Sequence, residues 1–203
     1  GRDPADLQVV LTHLGGGSSV CAVRDGHSVW TSMGFTPLEG LPMSRRSGSV
    51  DPGMLLWLQT EHGLSAAEVS DGLEHHSGLL GLSDNLSGDT RELVDAANTG
   101  NATAKLALDV FTLRVRQEIA AAAASLERVD AVVFSGEIGA DQPEIREAVA
   151  VGLTVLGLQG DLDPNQQDDA VISRDGVPVL LVNPDEQRQI AIEVRRVLRV
   201  TAG

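Results

Sequence analysis

Four clusters of residues in this chain have types and spacing that suit chemistry. The first is His13-Leu14-Gly15-Gly16-Gly17-Ser18-Ser19, an imidazole at the end of an apolar run with three glycines behind it. Glycines there let the backbone approach a ligand closely, and successive N–H groups can cradle phosphate oxygens. A glycine-rich hairpin turn beside a core histidine fits the same spacing. The second is Ser32-Met33-Gly34-Phe35-Thr36-Pro37-Leu38-Glu39-Gly40, followed by Arg45-Arg46-Ser47-Gly48. No periodic element accounts for it, and ordered loops tend to carry function. Arg46 has the donors to grip a phosphoryl group twice, or to stand as a solvated loop arginine. In the third, Phe134-Ser135-Gly136-Glu137-Ile138-Gly139, a strand ends just before a helix. That arrangement suits a nucleotide at a helix N-terminus, or an ordinary tight turn. The fourth, Asn183-Pro184-Asp185-Glu186, reads as a capping-box variant with Asn183 as N-cap, Pro184 at N1 and Glu186 at N3. A carboxylate at a helix start also suits a magnesium-bound water.

Two further clusters are set aside. Asp161-Leu162-Asp163-Pro164-Asn165 opens like a calcium loop, but Gln166 stands at the required glycine and Ile172 at the required glutamate, leaving a solvated acidic loop. Glu74-His75-His76 lacks further ligands at metal spacing and reads as a surface helix end.

The elements that must position these residues follow from periodicity and punctuation. Leu7–Leu14 reads as a buried strand running into the glycines. Val20–Val23 and Ser28–Thr31 form a hairpin around Arg24-Asp25-Gly26-His27. Residues 34–50 form an ordered loop. Helical spacing covers Pro52–His62 and Ala66–His75, the latter with Ser65 as N-cap. A long helix runs from about Asn101 to Leu126, with Leu106, Val110 and Leu113 on one stripe. Asp130–Phe134 is a strand, Ser135–Asp141 a glycine-bearing turn, and Pro143–Gly152 a helix. Val171–Ser173 and Pro178–Val182 are strands, and Pro184–Leu198 is the last helix. The pattern is mixed α/β, with hairpins first and strand–turn–helix units later.

Composition limits what such a chain can do. Its 203 residues suffice for a sizeable core, and 42% are hydrophobic, which argues against disorder. The balance of 15 basic to 29 acidic residues gives a net charge of −14, which disfavours nucleic acid and anionic membranes as partners. No apolar run approaches the ~20 residues of a membrane span. One cysteine, Cys21, excludes a disulfide framework and makes a cytoplasmic location the expectation. Lys105 is the one lysine and lies outside any Gly-Lys-Ser/Thr sequence, so a P-loop nucleotide site is absent. The chain opens Gly1-Arg2-Asp3-Pro4 without methionine, which suggests a processed protein or a piece of a longer one.

Taken in order, His13-Leu14-Gly15-x-Gly17-Ser18-Ser19, Thr31 through Gly40, Arg46-Ser47-Gly48 and Asp51-Pro52 resemble the acetate kinase family. The resemblance covers essentially the whole chain, is densest over residues 11–52, and corresponds to the C-terminal half of such an enzyme. It implies the α/β fold shared by actin, sugar kinases and chaperone ATPases, with a ribonuclease H-like motif. Residues 1–203 would be the C-terminal nucleotide-binding domain of a two-domain kinase. The implied reaction is reversible Mg²⁺-dependent transfer of the ATP γ-phosphoryl group to acetate, giving acetyl phosphate and ADP, by a homodimer.

Residue by residue, the resemblance implies that His13 lies beside the transferred phosphoryl group. Leu14 falls among the nucleotide-binding residues, Gly15 to Gly17 form the phosphate loop, Pro37 walls the acetate pocket and Arg46 steadies the transition state. Asp89, Thr90 and Arg91 match an Asp-Phe-Arg motif near the adenosine. Glu137, Ile138, Gly139, Ala140 and Asp141 fall on Gly-Ile-Gly-Glu-Asn, and Glu186 on a metal-linked glutamate. The chain departs from the pattern at Gly16 (asparagine in the family), Thr90 (phenylalanine), Glu137 (glycine), Ala140 (glutamate) and Asp141 (asparagine). A Glu137 side chain would crowd or repel a nucleotide. The resemblance also places a phosphate-contacting asparagine, another arginine, another catalytic histidine and a metal-linked aspartate in the other half, so this half alone is expected not to turn over. The competing reading is a degenerate or truncated module that binds nucleotide weakly or serves dimerisation.

Overall fold

In the computed structural model, which describes residues 3–166 and 169–201, the first three strands form an antiparallel meander. They are β1 (Gln8–Leu14), β2 (Ser18–Arg24) and β3 (His27–Thr31). The β2–β3 turn is built on Asp25 (φ 53°) and Gly26 (φ 75°), a two-residue left-handed turn whose twist matches the flanking strands. β4 (Ala131–Ser135) then adds parallel to β1, and β6 (Val179–Leu181) parallel to β4. β5 (Ala170–Val171) closes the edge antiparallel to β6, for a sheet order β3-β2-β1-β4-β6-β5.

One face of the sheet is sealed by α5 (Ala102–Ala123), capped by the Asn101 side chain, which accepts from Ala104 N at 2.9 Å. Val10, Leu14, Val20 and Ala22 from the strands meet Ala104, Ala107, Phe111, Val115 and Ile119 from the helix, all fully buried. This corrects the expected stripe: Leu106 (56%) and Leu113 (48%) are exposed on the outer side. Small residues at 104 and 107 let the helix axis come close to the sheet, and proximity outweighs the larger apolar area of the leucines. The opposite sheet face is less covered, with Leu11 39% exposed.

The remaining helices are α1 (Pro52–Thr60), α2 (Ala66–His75), α3 (Gly78–Leu82), α4 (Thr90–Asn98), α6 (Gly136–Asp141), α7 (Pro143–Val151) and α8 (Glu186–Thr201). Ser65 and Glu68 form a reciprocal capping box on α2, and His75 ends that helix, as its sequence indicates. Three expectations change. Ser135–Asp141 is not a turn, because Gly136–Asp141 forms the short helix α6. The last helix begins at Glu186, capped by Asp185, whose carboxylate accepts from Arg188 N at 3.1 Å; Asn183 instead donates its N–H to Asp169 Oδ1. Residues 76–100, given no element from sequence, contain α3 and α4. Among the described residues no helix is long and apolar enough to cross a membrane.

Candidate active site

β1, β4 and β6 run parallel, so their C-terminal ends reach one edge, the place where open α/β sheets bind ligands. His13, next to last in β1, lies opposite Ser135 of β4 and is half-buried. Leu14 is fully buried, so its side chain serves the core and only its backbone faces the edge. Gly15 N donates to Ser18 Oγ at 3.3 Å, and that hydroxyl donates back to Gly15 O at 3.2 Å, which closes the glycine turn on itself. Gly16 and Gly17 are exposed, and a Cβ at either would meet nothing within 4 Å. The family's asparagine would therefore fit at Gly16.

After β4 the chain turns at Gly136 (φ +80°), where a Cβ would lie 2.9 Å from Leu14 C and 3.1 Å from His13 Cε1. Only glycine fits, and the close approach seats the start of α6 on the end of β1. Two cavities share the resulting floor of Gly15, Gly16 and Glu137. One, of about 620 Å³, joins His13 and Gly15–Gly17 to Pro184, Asp185 and Glu186. The other, of about 140 Å³, joins Gly15 and Gly16 to Asp89, Thr90 and Arg91 and to Glu137, Ile138 and Asp141. Gly139 and Ala140 are buried behind it. Nearly every residue of the sequence-derived set thus meets at one edge.

The smaller cavity is acidic. Asp89 caps α4, accepting from Arg91 N at 2.9 Å, and pairs with the Arg91 guanidinium, Nη2 to Oδ2 at 2.6 Å. That side-chain hydrogen bond holds the Asp89 carboxyl below the usual carboxylate range, against partial burial. Arg91 is held above its ordinary value, first by the bond to Asp89, with smaller support from the charges of Glu137 and Asp141. One arginine therefore faces three carboxylates.

Arg46 and Pro37 line neither cavity. Pro37 sits on an exposed turn. Arg46 is half-buried on a turn held by its backbone: Met43 N donates to Arg46 O at 3.0 Å. The start of α3 grips the same turn, with Ser77 N donating to Arg45 O, Leu79 N to Met43 O and Leu80 N to Ser44 O, all at 2.9–3.0 Å. Ser44 thereby reaches the smaller cavity, as do Gly88 and Gln142. Sequence reading missed these three. For Gly88 the signal is its company: a Cβ there would lie 2.7 Å from Ser44 O.

An antiparallel three-stranded meander extended by parallel strands, with glycine turns at the strand ends, defines a domain of the actin-like ATPase fold. The sequence profile of the acetokinase family matches residues 1–192, and the chain belongs to that family. An acetate kinase of Clostridium botulinum is 43% identical over 201 residues, which is 97% of this chain and 50% of that protein. One of Deinococcus deserti is 44% identical over 202 residues, with the same coverage. The crystal structure of Porphyromonas gingivalis acetate kinase superposes with a TM-score of 0.88 at 35% identity, over 97% of this chain and 50% of that one. A propionate kinase from Francisella tularensis gives 0.82 at 35%, over 89% and 47%. The chain therefore spans about half the length of the curated relatives it matches.

Proposed function

We propose that residues 1–203 are the C-terminal nucleotide-binding domain of an acetate kinase, which transfers the γ-phosphoryl group of ATP reversibly to acetate. The observation that carries this reading is the convergence of His13, the Gly15–Gly17 turn and Glu186 on one cavity that continues into the Asp89–Arg91 and Glu137–Asp141 cleft. Phosphoryl transfer asks mainly for positioning and for stabilisation of charge on three equatorial oxygens. In this reading the N–H groups of Gly16 and Gly17 hold phosphate oxygens, and His13 donates to the transferred group. Arg46 supplies the guanidinium that stabilises the transition state once the other half closes the cleft. Pro37 belongs to the acyl pocket, and Asp89 to Arg91 with Glu137 to Asp141 surround the adenosine.

Glu186 suits Mg²⁺ because that ion keeps several waters and takes one or two carboxylates beside substrate phosphates, and Glu186 lines the same cavity as the phosphate turn. When bound, Mg²⁺ would offset charge on the β- and γ-phosphates. The wider reading is a homodimer in the cytoplasm, with no nucleic-acid or membrane partner.

The exposed apolar residues of α8, Ile190 (62%) and Val194 (51%), and the half-covered sheet face at Leu11 support a second half packing against this one. The non-catalytic alternative is less favoured, since relatives at 43–44% identity carry the acetate kinase name.

The test is acetyl phosphate formation from ATP and acetate by the full-length protein. Turnover is expected there, and none from residues 1–203 alone; an inactive full-length protein would refute the reading. Propionate assayed alongside acetate measures acyl preference.

Glu137 yields a second expected result. Its exposed side chain also lines the larger cavity beside the Gly15–Gly17 turn, where a polyphosphate would meet it. Removing one like charge near the phosphates is worth about 1 kcal/mol in water-like surroundings. Glu137→Gly in the full-length protein is therefore expected to tighten Mg-ATP roughly three- to ten-fold, less at high salt. Calorimetry at two ionic strengths checks both statements, and weaker binding by the variant would contradict them.

A further inference from the structure

We infer that Arg146 is a positioning residue that holds the cleft-lining helix α6 in place through two main-chain carbonyls. The inference rests on the nucleotide reading above. Arg146 stands on the first turn of α7 and is 1% exposed, the largest fully buried side chain among the described residues. Its Nη1 donates to Gly139 O at 2.9 Å and Ala140 O at 2.5 Å, while Nε and Nη2 are buried without a hydrogen-bond partner.

The reason those carbonyls need an arginine lies in Pro143. A helical carbonyl at position 139 would accept from the N–H of residue 143, and proline has none. Proline therefore separates α6 from α7 and leaves buried carbonyls without their helical donors. Buried backbone acceptors are nearly always satisfied, and here the guanidinium does it. A buried cation is a costly way to fill space, since an apolar side chain of similar volume would pack there without desolvating a charge. Burial does push the Arg146 guanidinium below its ordinary value, and the charges of Glu144, Asp141 and Asp163 act in the opposite sense.

What the clamp holds is the cleft wall. Gly136 seats the first residue of α6 on the end of β1, and Arg146 fixes the last carbonyls. Between these two anchors lie Glu137 and Ile138, and Asp141 directly follows the second; all three line the smaller cavity. Loosening the second anchor lets that wall move while the phosphate turn and Arg46, on other elements, stay in place.

The experiment uses the full-length protein with Arg146→Met and Arg146→Lys. Calorimetry gives the Kd for Mg-ATP, kinetics give KM for ATP and for acetate, and hydrogen exchange reports the amides of residues 137–142. In Arg146→Met, Kd and KM for ATP are expected to rise on the order of ten-fold, the scale of a small misplacement of a binding wall. KM for acetate should stay within about two-fold, and exchange should quicken at 137–142 but not in β1 or α5. Arg146→Lys, which keeps a donor, should recover part of the affinity, and it carries the comparison if the methionine variant does not fold. An unchanged Kd in both variants would overturn the role of Arg146. So would an equal rise in both KM values, which marks a merely structural residue. A wild-type protein that does not bind Mg-ATP would instead overturn the nucleotide reading, and this inference with it.

Discussion

Replacing Arg46 with alanine in the full-length protein is expected to lower kcat for acetyl phosphate formation by about 10²–10³, the cost of removing one preorganised donor from a developing anion. KM for ATP should change little, because Arg46 lines neither cavity and its turn reaches the nucleotide cleft through Ser44, which the substitution leaves in place. The fold should persist. Among the described residues the Arg46 side chain makes one weak hydrogen bond, Nη1 to Met43 Sδ at 3.7 Å, and the hydrogen bonds that fix its turn use backbone atoms that alanine keeps. The measurement is steady-state kinetics in both directions with a thermal melt beside it. A fall in kcat and kcat/KM by the same factor marks an interaction made only in the transition state. An unchanged kcat would remove Arg46 from the proposed chemistry, and a rise in KM for ATP alone would reassign it to ground-state binding.

That separation of roles was only partly visible in the sequence. The strands that deliver His13, Ser135 and Glu186 to one edge were legible because each is a short apolar run ended by glycine or proline. The parallel order of those strands, which makes their ends coincide, is a tertiary fact. The α5 stripe misled because periodicity favours Leu106 and Leu113, whereas close packing selected Ala104 and Ala107 for the sheet. α6 was hidden by Gly136 and Gly139, poor helix formers, of which Gly136 serves close approach to β1 instead. α4 carries no such signal although Asp89 caps it and Leu93 is buried on it, because its large apolar residues, Leu93 and Val94, are adjacent and trace no helical period. Glu186 kept its place at a helix start, but Asp185 took the cap, so the carboxylate of Glu186 has no capping duty there.

The least legible element, α3, has the largest expected structural consequence. Gly78 opens it at φ +62°, and a Cβ there would collide with Met43 O and lie 2.6 Å from Arg46 O. Neither carbonyl can retreat freely: Met43 O accepts from Leu79 N, and Arg46 O accepts from Met43 N. Gly78→Ala therefore has to move the turn that carries Arg46. Backbone strain at positive φ costs about 1 kcal/mol, and the displaced hydrogen bonds bring the destabilisation to about 2–3 kcal/mol. At 2–4 °C per kcal/mol for a chain of this size, the melting midpoint should fall by roughly 4–12 °C. Displacing the guanidinium by about 1 Å should lower kcat on the order of 10². Gly63→Ala is the control. Its φ of +69° is as strained, but a Cβ there meets nothing within 4 Å. It should lose only about 1 kcal/mol and keep full kcat. Equal losses of kcat in the two variants would show that positive φ alone matters, and that the contact between Gly78 and the Met43–Arg46 turn does not position Arg46.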